Sequence, residues 1–441
     1  MLKKLFSNTA ALVLVCTSIL AMCLAACGYT GGQREVSYSV SENSSSSYSG
    51  SQSSSSHSSQ SSGNSSITGK SGNVQEDIVT ETDSDLFTER DLTQTADLSE
   101  AQTVTVTSGS TYTIYKDGVY VLSGTAENFT VVVEAGDEDK VQLVLDGLSV
   151  TNANDPVIYV KNADKVFVTS AGDDSTLTVT GAFSSDGSTN TDAVIFSKDD
   201  LVLNGTATVT VSSTDNGVSC KDDLKVTGGT WNITCTADAL EANDSIAVAG
   251  GTLNIKTSKD GLHAEYDEDN TVGWITIEGG VLNITAKDDA VHATTVLTVN
   301  GGELNITAAE GLEATQIEIN AGTVDITATD DGINAGQKSK ALSVGITVNG
   351  GEISIDMGAG DTDAVDSNGY LTITGGTISI SAQSPFDADG TISWTGGTIY
   401  VNGSQISTIT NQMMGGGMMG GMQGGGMQGG MPGGMPGGNK H

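Results

Sequence analysis

The sequence predicts an all-β solenoid, and three observations carry that prediction. Near-copies of one phrase recur between Ile275 and Asn334. Short runs of Val, Ile and Leu alternate with Thr, Ser and Asn. Gly is abundant, with 57 residues, where Pro is scarce, with 4. Alternation with a period of two marks a strand with one buried face. A repeat of roughly 20 residues cannot bury a core alone, so successive copies must stack.

The three clearest copies run Ile275–His292, Leu297–Glu313 and Ile317–Asn334. Each reads as strand, Gly turn, strand and acidic turn. Gly-containing turns recur at Asn204-Gly205, Gly228-Gly229, Gly250-Gly251, Gly279-Gly280, Gly301-Gly302, Ala321-Gly322, Gly350-Gly351, Gly375-Gly376 and Gly396-Gly397. Residues 265–273, 336–345 and 358–362 interrupt the spacing and read as inserted loops, where solenoids often build binding surfaces. Upstream, strand signals start at Thr103 and continue less regularly through Leu177-Thr-Val179.

Alternation assigns the two faces of each strand. Trp231, Leu253, Leu282, Leu304, Val324, Ile353, Ile378 and Ile399 form one inward column, and Ile233 through Val401 a second. Asn232, Asn254, Asn283, Asn305 and Asp325 point outward and are expected to form a solvated face. Trp394 also reads as inward. Trp274 falls just before a strand, near Tyr266 in an inserted loop; it could stack on a sugar ring or anchor the loop. Cys220 and Cys235 read as inward, either as buried thiols or as a pair; thiols are favoured, because two cysteines do not make a disulfide framework.

The ends read differently. Lys3 and Lys4 precede an apolar stretch, Leu12 to Leu24, too short and wrongly flanked to span a membrane. It ends Leu24-Ala25-Ala26-Cys27-Gly28, the pattern of a bacterial lipobox. Residues 1–26 are expected to be a signal peptide. Cys27 would then carry the lipid and hold the protein on the extracellular face of the membrane. Residues 27–72 are Ser-rich and cannot offset ordering entropy, so they are expected to be a disordered tether. A flexible chain of that length spans roughly 35–40 Å. Residues 73–101 form an acidic leader, 102–411 the solenoid, and 412–441 a Gly- and Met-rich tail expected to be disordered.

The net charge of −36 excludes nucleic acid as a partner and leaves the lipid anchor as the one membrane contact. A monomer is expected. Many of the acids recur at fixed positions. Asp155, Asp192, Asn216, Asp238, Asp260, Asp289, Glu310, Asp331 and Asp363 open the acidic turns. Ser219, Glu241, His263, His292, Glu313, Asn334, Asp366 and Asp387 follow three residues after the opening position in the C-terminal coils. Asp215, Asp288, Asp330 and Asp361 add further carboxylates. Stacked coils would bring these groups roughly 5 Å apart. Each unscreened pair would then cost on the order of 3 kcal/mol.

Hard cations with oxygen ligands answer that repulsion best, so Ca²⁺ is the expected cofactor. Its candidate ligands are Asp238, Glu241, Asp260, Asp288, Asp289, Glu310, Glu313, Asp330, Asp331, Asn334, Asp361, Asp363 and Asp366. His263 and His292 are poor Ca²⁺ ligands and are expected either to support the metal ligands from behind or, with Trp274 and Tyr266, to contact sugar; a Zn²⁺ site using both histidines is a further alternative. The plain alternative for the acids is Asp favoured by turn geometry.

Turns such as Asp288-Asp-Ala-Val-His292 and Asp330-Asp-Gly-Ile-Asn334, coils of the Gly-Gly-Thr-Leu-Asn-Ile type, the lipobox, the Ser-rich tether and the Gly/Met tail occur together. Over about Ala101 to Gln405 the chain resembles the bacterial calcium-containing β-helix carbohydrate-binding proteins. The resemblance implies a right-handed parallel β-helix, bound calcium, and affinity for polygalacturonate-like or cellulosic glycans. The chain also resembles the family nine pectate lyases in fold and acidic turns. That implies an alternative activity, calcium-assisted β-elimination with a Lys or Arg base. Lys221, Lys225, Lys256, Lys259 and Lys287 lie near the acidic turns, and none is marked out by sequence. The expectation is therefore calcium-dependent binding of acidic polysaccharide without catalysis, with lyase activity or a purely structural surface role as alternatives.

Overall fold

The computed structural model describes residues 86–266, 268–358 and 362–411. Cys27, the signal peptide, the tether, residues 73–85, Asp361 and the tail from 412 lie outside the described residues. Among the described residues there is no helix, and the strands join one continuous sheet. The ladders are parallel except where Thr398–Val401 pairs with Ser404–Gln405. Strand pairing by whole coils makes the domain a β-helix-like solenoid.

The strands form three stacks. The first includes Ser175–Val179 and Thr208–Ser212 and continues to Thr398–Val401. The second includes Lys165–Ser170, Asp200–Gly205, Ser245–Val248 and Trp274–Ile277. The third includes Ile158–Asn162, Ala193–Ser197, Asn216–Cys220, Leu240–Ala242 and Leu262–Ala264. In the first stack Trp231, Leu253, Leu282, Leu304, Val324, Ile353, Ile378 and Ile399 are register partners in turn. All are buried in one aliphatic core, as the alternation predicts. Trp394 packs against this core but stays half-buried near the end of the coil stack.

The Gly-Gly turns have a steric cause. Gly251 sits at φ 91°, and a Cβ there would meet Gly228 C at 2.9 Å in the preceding coil. Gly397 repeats this at φ 81°, with Gly375 O at 2.5 Å. Backbones stacked this closely leave no room for a side chain, and the left-handed φ suits glycine.

Two features differ from expectation. The outward Asn column is a hydrogen-bonded ladder as well as a solvated face. Asn254, Asn283 and Asn305 each donate Nδ2 to the Oδ1 of the preceding Asn at 2.8, 2.8 and 2.9 Å. A second ladder of Glu278, Asn300, Asn320 and Asn349 sits immediately before the Gly turns. The other difference is the leader, which from Leu86 onward lies as a strap on the second stack. Asn204 Nδ2 donates to Thr93 O, and Gln94 Oε1 accepts from Gly205 N.

Cys220 and Cys235 are free thiols in the core. Burial raises both, Cys235 to about 11, which keeps them protonated and unreactive.

Candidate functional site

The acidic turns are in large part short strands of the third stack. Their outward residues form one register column: Ser219, Glu241, His263, His292, Glu313, Asn334, Asp366 and Asp387. The same column continues the other way as Phe196, Tyr159 and Val132. It therefore runs from aromatic, through cationic, to acidic along the solenoid.

The residues that open the turns do structural work first. Asp238 N donates to Asn216 Oδ1 at 2.8 Å, Asp260 N to Asp238 Oδ1 at 3.0 Å, and Asp289 N to Asp260 Oδ1 at 2.9 Å. Asp363 N donates to Asp331 Oδ1 at 3.1 Å. In Asp238, Asp260 and Asp331 one carboxylate oxygen, and in Asn216 the amide oxygen, thus ties the turn to its neighbour, which leaves the second carboxylate oxygen for ion pairs or a ligand. This gives the turn-geometry reading a concrete form, and these residues cannot be read as metal ligands alone.

Mid-column, the protein supplies its own cations. His263 places Nδ1 3.2 Å from Asp238 Oδ2 and 3.6 Å from Asp260 Oδ2, and Nε2 3.1 Å from Glu265 Oε2. Both ring nitrogens face carboxylates, so both carry protons. Burial opposes the charge most, yet Asp238 and Glu265 overcome it and raise His263 to about 10. Asp238 answers with a value of about 2, its burial outweighed by His263 and Lys259. His292 Nδ1 lies 2.9 Å from both Asp289 Oδ2 and Glu313 Oε2. Against its burial, these two raise it to about 9. Glu313 is held low by His292 and Lys338 despite burial, whereas burial pushes Asp289 up. Lys259 pairs with Asp238 and Lys221 with Glu241. Histidine and lysine cations therefore offset much of the repulsion expected from the sequence here, while Asp289 remains raised by burial, beside Glu313 and Asp260.

The C-terminal acids are different. Asp331 rises to about 7, by burial first and then by Asp366, Glu310 and Asp330. Asp366 rises to about 6, by burial and then by Asp387, Asp363 and Asp389. Their charged neighbours are carboxylates.

Oxygen-only donors also meet at Asp260, Asp288 and Asp289, whose ligand atoms lie within 4.8 Å of one another. Such a set suits a hard cation. Groups of the same size join Asp260 to both histidines, and Asp289 to His292 and Glu313. His263 has both nitrogens engaged, which disfavours the zinc alternative.

Residues 108–364 match the family described as carbohydrate-binding domain-containing protein. The chain belongs to that family. The match covers the column from Ser219 to Asn334 and ends just before Asp366. A carbohydrate-binding domain-containing protein of Acetivibrio thermocellus is 38% identical over 128 residues, 28% of this chain and 44% of its own length. The chain thus spans less than half of that relative. A solved structure of a polysaccharide lyase-like protein from C. thermocellum, a gadolinium derivative, is similar at 30% identity, covering 49% of this chain and 84% of that one, with a TM-score of 0.41.

In this carbohydrate-binding domain the sugar-contact candidates do not gather at one place. His263 and His292 are neighbours in the third stack, with side chains only 15% and 14% exposed. Trp274 opens a strand of the second stack instead of preceding it, and is half-buried. Tyr266 sits in the inserted loop and donates to Glu268. Of the metal candidates, Glu241 accepts from Asn216, Ser219 and Lys221. Asn334 donates to Glu310 at 2.9 Å.

Sequence reasoning missed Lys338, which pairs with Glu313 from the 336–345 insertion, and Glu265, which completes the His263 shell from the other insertion. It also missed Tyr159 and Phe196, packed edge to face with centroids 5.7 Å apart. One signal was available: residues 265–273 directly follow His263, and residues 336–345 follow Asn334 one coil beyond Glu313.

Proposed function

We propose that this carbohydrate-binding domain takes an acidic polysaccharide such as polygalacturonate along the third stack, with Ca²⁺ bridging the uronate carboxylates to the acidic end of the column. The observation that carries this reading is the crowding of Asp331 and Asp366, whose carboxyls are raised by burial and by other carboxylates. A bound cation would relieve that crowding and leave coordination positions for a second polyanion. Asp331 and Asp366 would hold it, with Asp330 and Asp363 beside them; Asp260, Asp288 and Asp289 form the next candidate set. Binding is proposed to occur at the extracellular face of the cell membrane, where the lipid on Cys27 would anchor the protein.

Lyase chemistry is less well supported. A general base must give up its proton near working pH. Lys259 pairs with Asp238 and Lys338 with Glu313, beside the histidines, and these carboxylate partners raise both despite burial. That stabilises ammonium, which suits binding better than proton abstraction.

The deciding experiment is polygalacturonate affinity electrophoresis of the full chain with Ca²⁺ and with EDTA. Retardation in Ca²⁺ that disappears in EDTA supports the reading. Equal retardation in both, in protein that stays folded, refutes the bridge.

A further inference from the structure

We propose a separate carbohydrate site on the outward face of the first stack, where an uncharged, extended polysaccharide lies along the solenoid axis. It draws on the family's carbohydrate-binding character and needs neither calcium nor the acidic column.

Two outward columns define the track. Asn283, Asn305, Asp325, Ser354, Ser379 and Tyr400 are successive register partners, flanked by the column from Thr285 through Thr307 and Thr327 to Ser381. Two grooves lie along these columns. One, of about 250 Å³, is lined by Asn283, Thr285, Asn305, Thr307, Asp325 and Thr327. The other, of about 490 Å³, continues along Ser354, Ser379 and Ser381 and ends against Tyr400. Tyr400 is 37% exposed, one of few large apolar side chains exposed among the described residues.

The chemistry selects a neutral glycan. Asn283 spends one N–H and one lone pair on its ladder neighbours and keeps a second donor and acceptor, while Asn305 gives its N–H groups to Asn283 and Glu303 and offers its Oδ1 as acceptor. The ladder fixes their orientation, so little side-chain entropy is lost on binding. Hydroxyls of a sugar chain match such paired donors and acceptors. Successive coils repeat at about 4.8 Å, close to the length of one sugar in an extended chain, so contacts can recur without drifting out of step. The exposed Tyr400 ring offers an apolar platform for a sugar ring face. Asp325 and Asp356 stand on the same columns and would repel a uronate chain. This assigns the polyanion to the third stack and the neutral chain to the first.

The test titrates the full chain with cellohexaose in EDTA by calorimetry, and with polygalacturonate in Ca²⁺ alongside. Tyr400→Ala is expected to weaken cellohexaose binding at least tenfold, and Tyr400→Phe to preserve it. Thr307→Arg, a surface change that fills the groove, is expected to weaken it similarly. Polygalacturonate binding should be unaffected by all three. No heat with cellohexaose for the unaltered protein, or unchanged affinity in both Tyr400→Ala and Thr307→Arg, would overturn the proposal. Loss of the polygalacturonate arm alone would count against the calcium reading and leave this site standing.

Discussion

His263 and His292 lie with ring centroids 4.9 Å apart, tilted by 58°, and both are held as cations. Two imidazolium groups this close repel each other, and His263 does lower the pKa of His292. Asp238, Asp260, Glu265, Asp289 and Glu313 surround the pair and outweigh that repulsion. Removing one ring would therefore leave several buried carboxylates uncompensated. His292→Gln should lower stability at pH 7 by about 3 kcal/mol, as for breaking a buried pair from one side. The loss should shrink toward pH 4, where Glu313, no longer held low by His292, takes a proton. Urea unfolding at the two pH values checks this, and equal losses would contradict it.

The pH dependence follows from the signs. Asp238 is depressed to about 2, so its contribution is present above about pH 4 and lost as pH falls toward 2. Asp331 and Asp366 are raised, to about 7 and about 6. The folded state holds their protons longer than the unfolded chain, so stability falls as pH rises through these values. His263 and His292, raised to about 10 and about 9, contribute fully below about pH 6.5 and lose that contribution by pH 9–10. Metal-free protein should thus melt highest near pH 4 and lower at each step toward pH 10. Excess Ca²⁺ should flatten the limb between pH 4 and 7 and leave the alkaline limb in place. Thermal melts in EDTA and in Ca²⁺ read both limbs; a flat EDTA profile from pH 4 to 7 would sink the argument.

These charges show what was and was not legible in the sequence. The inward columns, the Gly turns and the register from Glu241 to Asp387 follow from period-two alternation, a local property. Whether a carboxylate in that register needs a metal depends on what faces it. Lys338 and Glu265 arrive from insertions whose path no periodicity describes. The backbone role of Asp238, Asp260 and Asp331 was hidden for a related reason. One oxygen of each serves the next coil, and side-chain spacing alone does not separate that use from ligation.

Asp331→Asn combined with Asp366→Asn should have two opposite effects. Neutral amides remove the repulsion, so the metal-free protein should melt at a higher temperature. The same change removes candidate Ca²⁺ ligands, so the rise in melting temperature on adding Ca²⁺ should shrink. A variant that loses stability in EDTA and keeps its full Ca²⁺ response would show that these carboxylates serve only the fold.

The strap gives the last prediction. Asp91 is fully buried, with Lys165 3.6 Å and Lys225 3.8 Å from its oxygens. It also accepts from Thr88 N, while its own N–H donates to Thr88 Oγ1. The guanidinium of Arg90 lies 4.4 Å from the centroid of the Phe167 ring. Phe167 alternates with the core residues Val166 and Val168, so it points outward, yet it is 1% exposed, as is its register partner Val202. An outward face this apolar must be covered, and the leader covers it. Asp91→Ala would leave two lysines facing a buried gap and should free the strap while the coils, each held by its neighbours, stay folded. Hydrogen exchange should then rise at residues 86–98 and across Val202, with little change at Leu282 or Leu304. If exchange instead rose throughout the solenoid, the strap would be part of the cooperative core and not a docked segment.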